Sequence, residues 1–272
     1  MMGGEGSTRQ TTTYRAFIVP EAPIVAGEPA SLDVQIVDQF GKPFTDFETL
    51  SFGRFSYKMF FAVASRDLTF MEADPLLLGL GNMMSGAAGA GGMMGSGAAD
   101  NTGANPLKAP ADEGRIKVQV VFPSDGQYIA FLDFRPRGGD TISLAVPIKI
   151  GAAGVKTTTL TPDTSFSSTV GNLLVTMHLD GTLKAGQDNS ISFTATDSEG
   201  QSRNEDIDMF SGYRCNLYVI DEKSTILLRP DLVDRSKLQF LVNFPKPGKY
   251  KVWFDYIYEN KSEQVSFVLD VK

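Results

Sequence analysis

A chain of 272 residues, 42% hydrophobic and 21% charged, is long enough for two ordinary domains with separate cores, and its composition excludes a generally disordered polymer. The formal charge of -7 is spread evenly, with 12 basic and 16 acidic residues in 1–151 and 13 and 16 in 152–272, so neither half is a cationic platform for nucleic acid. Cys215 is the sole cysteine, which excludes an intrachain disulfide and a thiolate cluster for zinc or iron and sulfur.

Residues 1–13, MMGGEGSTRQTTT, are read as a flexible tail, without the basic and apolar regions of a secretory signal. From Ala26 the chain reads AGEPASLDVQIVDQFG, in which Leu32, Val34 and Ile36 alternate with Asp33 and Gln35. That period of two predicts a half-buried strand, and DQFG supplies the Asp and Gly of a closing turn.

Between Asp74 and Asp100 lie 25 residues without a charge, eight of them Gly. Each Gly costs about 1 kcal/mol relative to Ala in a helix, so a loop insertion over about 76–105 is expected rather than a helix or a membrane span. Its doublets Met83-Met84 and Met93-Met94 leave two sharper readings open: adaptable contacts for a protein partner or a neighbouring subunit, or soft thioether ligands for Cu(I).

FPSDGQYIAFLDF (Phe122 to Phe134) follows, and it returns as FPKPGKYKVWFDY (Phe244 to Tyr256), 122 residues later. Likewise AGEPASLDVQIVDQFG returns as AGQDNSISFTATDSEG (Ala185 to Gly200), 159 residues later. The chain is therefore a duplication whose first copy holds 37 additional residues between the two phrases, which is where the insertion lies. Alternation also marks Ile142 to Ile150, Ile191 to Ala195 and Val265 to Val271, and helical spacing is scarce. The expected fold is all-β: two tandem immunoglobulin-like antiparallel β-sandwiches, over 14–151 and 152–272, joined near Gly151 to Gly171. Within each repeated phrase Pro and Gly turn the chain between sheets, and Tyr128 or Tyr250 opens the next strand. This resembles the tyrosine corner of immunoglobulin-like domains. Trp253 is expected to be packed rather than presented.

The order of these pieces resembles a bacterial immunoglobulin-like module of exported, heavy-metal-associated proteins, which runs from an AG…G strand through GHL and HxHP to FPxxGxY. The resemblance covers both halves and implies an extracytoplasmic or surface location; the family's histidines would imply metal binding. Here FMEADP (Phe70 to Pro75) sets Glu72 and Asp74 at the two histidine positions, with Met59 near the earlier one. The second copy reads ILLRPD, placing Leu227 and Arg229 or their neighbours there, with Asn216 near the earlier one. Weak metal candidates are thus Met59, Glu72, Asp74 and the four insertion methionines.

His178, the only histidine, alternates with apolar Met177 and Leu179 and is expected to face solvent. With no G-x-S-x-G elbow, no phosphate-binding glycine motif and one outward histidine, no catalytic constellation emerges. Glu205, Asp206 and Asp208 read as a solvated acidic loop. The expectation is a non-enzymatic structural or protein-binding module without a cofactor, a subunit of a larger extracytoplasmic or surface assembly, with a protein partner or self-association, no nucleic acid and no transmembrane span. The alternative is an extracytoplasmic protein binding copper or another heavy metal.

Overall fold

The computed structural model describes residues 13–52, 55–73, 115–152, 154, 159–207 and 215–272. The insertion methionines Met83, Met84, Met93 and Met94, Asp74 and Asp208 lie outside the described residues. Among those described the chain is strand and turn throughout, apart from a single 3-10 turn at Asn204–Asp206.

In chain order the first sandwich uses β1 (Arg15–Pro20), β2 (Pro29–Val37), a hairpin of β3 (Leu50–Phe52) and β4 (Phe55–Tyr57), β5 (Met59–Ser65), β6 (Met71–Ala73), β7 (Arg115–Val121), β8 (Gly126–Phe134) and β9 (Ile142–Ile150). The second uses β10 (Ser167–Val170), β11 (Leu173–Leu179), β12 (Asp188–Thr196), β13 (Asn216–Asp221), β14 (Leu227–Leu228), β15 (Leu232–Asp234), β16 (Gln239–Asn243), β17 (Gly248–Tyr258) and β18 (Lys261–Val271). The first pairs sheet β1-β2-β7 with sheet β6-β5-β8-β9; the second pairs β10-β11-β12-β16-β15 with β14-β13-β17-β18, every ladder antiparallel. This is the immunoglobulin-like arrangement, written twice.

The duplication extends to register. Tyr128 lies opposite Ser65 across β5 and β8, as Tyr250 lies opposite Asp221 across β13 and β17. The alternating apolar residues face inward as their period requires: Leu32, Val34 and Ile36 join Phe61, Val63, Leu132 and Phe134 in one core, and Ile191, Phe193 and Ala195 join Leu217, Val219, Phe254 and Phe267 in another.

A third core lies between the sandwiches. Strand β5, MFFAVAS, is buried at every position, because Met59, Phe61 and Val63 face the first core while Phe60, Ala62 and Ala64 face the second sandwich. They meet Tyr218 and Ile220 of β13 and Trp253 of β17, with Ile129 and Phe131 of β8 completing the layer. Two sheets with equivalent positions in their sandwiches therefore pack face to face, and Trp253, 2% exposed, is packed there. Leu160, in the connecting segment, adds to the same cluster. Leu160 is fixed to the second sandwich: its amide donates to Glu222 Oε1 at 2.9 Å, and Lys249 Nζ donates to its carbonyl at 2.6 Å.

Candidate binding surfaces

The duplicated phrases touch one another. Gly27 donates its amide to the Phe122 carbonyl at 2.7 Å and Gly186 to the Phe244 carbonyl at 2.8 Å, so the AG turn of each copy docks on its F-P corner. Both glycines have positive φ, 83° and 73°, a backbone that other residues rarely adopt. Within the corner, Tyr128 Oη donates to the Ser124 carbonyl at 2.7 Å and Tyr250 Oη to the Lys246 carbonyl at 2.8 Å. Both rings are buried, each 4.9 Å from the phenylalanine that opens the phrase. The repeated words are therefore framework, and functional chemistry has to be sought in positions where the two copies differ.

One such position is the turn after β2. Asp38 Oδ1 accepts from the amides of Phe40 and Lys42 at 2.9 and 3.0 Å, and Gly41 takes φ 81°. The turn after β12 is built the same way: Asp197 Oδ1 accepts from Glu199 and Gln201 at 3.0 and 2.9 Å, and Gly200 takes φ 79°. The amide bonds from Gln201 and Glu199 and the Arg203 side chain hold the Asp197 carboxyl below the usual carboxylate range, with burial opposing them. The geometry is common, yet the first copy carries Phe40, 83% exposed, where the second carries Glu199. Nothing in the turn requires an aromatic ring, so a rigid loop presents one to solvent.

The turn between β5 and β6 recurs as the turn between β13 and β14. Ser65 Oγ accepts from the amides of Thr69 and Phe70 at 3.1 and 3.0 Å; Asp221 Oδ1 accepts from Thr225 and Ile226 at 2.6 and 2.8 Å. Asp221 is 3% exposed and carries Lys246 at 3.2 Å. Burial pushes its carboxyl up, but the bonds from Thr225, Ile226 and Lys246 prevail and hold it below its ordinary value.

The metal candidates within the described residues are not brought together. Met59 is 1% exposed and faces the first core. Glu72 lies opposite Val63, four residues further along β5, which sets it about 13 Å from Met59 along the strand. Burial raises the Glu72 carboxyl to about 7, against the opposing bond from the Val121 backbone. In the second copy the register sets Leu228 in the place of Glu72, since Val219 opposite Leu228 matches Val63 opposite Glu72. Among the described residues no group of three or more His, Cys, Asp or Glu is arranged to hold a metal ion. His178 is exposed, with Nε2 2.9 Å from Thr194 Oγ1, and Cys215 is buried. Glu205 and Asp206 are exposed, as expected of a solvated acidic turn. Among the described residues no helix is long and apolar enough to cross a membrane.

The features that sequence reasoning missed are Phe40 and the face between the sandwiches. Comparing DQFG with DSEG residue by residue signals the first. The unbroken apolar run of β5, where a strand covered on one side alternates, signals the second.

A family model described as "Domain of unknown function (DUF8832)" matches residues 168–272, from within β10 to the last residue. No curated protein matches the chain. Among solved structures it is similar to a two-domain fibronectin type-III segment of chicken tenascin, at 10% identity and a TM-score of 0.26, covering 93% of this chain and 97% of that one. It is also similar to the fibronectin(III)-like modules of CbhA from Clostridium thermocellum (10% identity, TM-score 0.20, 94% of each chain covered). A third is latent PorU from Porphyromonas gingivalis (7% identity, TM-score 0.26), where the match covers 99% of this chain and 21% of that one. The first two are described as fibronectin type-III modules; the fold assignment itself rests on the strands, sheets and register described above.

Proposed function

We propose that this chain is a non-enzymatic structural and protein-binding module, a two-sandwich subunit of a larger extracytoplasmic or surface assembly. The observation that carries the reading is Phe40. A large apolar side chain, 83% exposed at the tip of a turn fixed by Asp38 and Gly41, is pre-organised for insertion into a partner's apolar pocket. The equivalent turn, with Glu199 at its tip, is an internal control. A photo-crosslinking phenylalanine analogue at position 40, irradiated in cells of the source organism, is expected to give a discrete protein adduct, and the same analogue at position 199 none. Absence of adducts from position 40, or equal adducts from both positions, contradicts the proposal.

A further inference from the structure

The two packed faces differ in a patterned way. Equivalent strands contribute to each, so Ile129 of β8 corresponds to Lys251 of β17, and Ala73 of β6 corresponds to Arg229, which follows β14. In both pairs the first sandwich offers an apolar residue and the second a cation. Each cation reaches across. Lys251 Nζ donates to the Leu68 carbonyl at 2.7 Å and lies 5.3 Å from the Trp253 ring centroid. Arg229 Nε is 3.3 Å from Asp133 Oδ2, and its guanidinium carbon lies 3.6 Å from the Phe60 ring centroid.

The turn that receives Lys251 is itself unusual. Leu68 has φ 55°, in the left-handed region that a bulky side chain disfavours, and Ser224 takes the corresponding place with φ 53°. Leu68 is 2% exposed and belongs to the core between the sandwiches. A small residue suits this backbone better. Leucine at this position is explained by the interface, because its side chain fills the third core while its carbonyl receives Lys251.

We infer that Leu68, Lys251 and Arg229 form a latch that locks the two sandwiches into one rigid body and so sets the direction in which the Phe40 end of the first sandwich points relative to the second. The latch does not depend on what Phe40 binds. Gln264 supports it from β18 by donating to the Met71 carbonyl at 3.2 Å. Surface ion pairs alone lock little; here the Arg229 and Asp133 side chains are only 27% and 13% exposed, and both cations lie near aromatic rings at the border of the shared core.

The test is a distance measurement between spin labels on the full chain, at the exposed positions Ser143→Cys and Thr169→Cys, with buried Cys215 left in place. The expected result is one narrow distance distribution that broadens severalfold in Leu68→Gly and in Arg229→Asp. Arg229→Asp combined with Asp133→Arg is expected to restore the narrow distribution. Leu68→Gly also separates a latch from a passive turn, since glycine relieves the backbone while removing the plug. A broad distribution in the parent chain, or a narrow one unmoved by either variant while circular dichroism shows both folded, overturns the inference.

Discussion

Gly27 donates its amide to the carbonyl of Phe122 at 2.7 Å, and this bond joins the two phrases that the chain writes twice. Gly186 and Phe244 repeat it at 2.8 Å. The repeated letters thus record one mechanical unit, an AG turn seated on a proline corner that is closed by a buried tyrosine.

If that unit is framework, its two tyrosines are equivalent in energy. Tyr128→Phe and Tyr250→Phe each remove the hydrogen bond to a turn carbonyl, and Tyr128→Phe also removes two longer contacts of 3.4 Å with the Ser124 amide and hydroxyl, so each is expected to cost about 0.5–1.5 kcal/mol in urea unfolding. The sites share no partner, so the double variant is expected to show the sum. Tyr256→Phe is the contrast. Its buried hydroxyl has no hydrogen-bond partner among the described residues, burial and Glu263 push its pKa up to about 12, and the first copy carries Phe134 in its place. Losing that hydroxyl is expected to leave stability unchanged or raised by up to about 1 kcal/mol.

Glu72 makes stability depend on pH. Its carboxyl titrates at about 7 in the folded chain against 4.5 when free, so between those values the folded state binds more protons than the unfolded one. Stability is therefore expected to fall as pH rises through that window, with a slope reaching about 1.4 kcal/mol per unit. Denaturant midpoints measured from pH 4 to 8 check this, and Glu72→Gln is expected to flatten the decline.

Asp221 acts in the opposite sense. Its folded pKa lies below its ordinary value, so its stabilisation is present above that value and is lost as pH falls through the folded one. Asp221→Ala abolishes the charge-assisted bonds from the part-buried amides of Thr225 and Ile226, a loss of about 1–3 kcal/mol at neutral pH. Its unfolding profile below pH 4 is expected to be flatter than that of the parent chain.

Much of the fold was legible because period-two alternation and turn residues are local. Leu32, Val34 and Ile36 needed only their neighbours to announce an inward face, and Tyr128 and Tyr250 needed only their duplicated phrase. The turns at Ser65–Phe70 and Asp221–Ile226 were not legible as a repeat, because SRDLTF and DEKSTI match at one position, Thr69 and Thr225, while what recurs is the positive φ of Leu68 and Ser224. The family resemblance sets Arg229 or a neighbour at a histidine position, whereas Arg229 reaches across to Asp133 and Phe60. Contacts between sandwiches join residues as distant as Gln264 and Met71, 193 positions apart, and local periodicity carries no trace of them beyond the two-sided burial of β5. Phe40 is an ordinary turn residue by sequence, and stands out only because Asp38 and Asp197 hold the two turns with the same pair of amide bonds.

Trp253, the only tryptophan, reports directly on the claim that two duplicated sandwiches close on a shared third core. Acrylamide quenching of its fluorescence in the native chain is the decisive measurement. Blue-shifted emission strongly protected from quencher is expected, with loss of that protection in Leu68→Gly while the far-ultraviolet dichroism of the strands is retained. Emission already red-shifted and freely quenched in the native protein would contradict it.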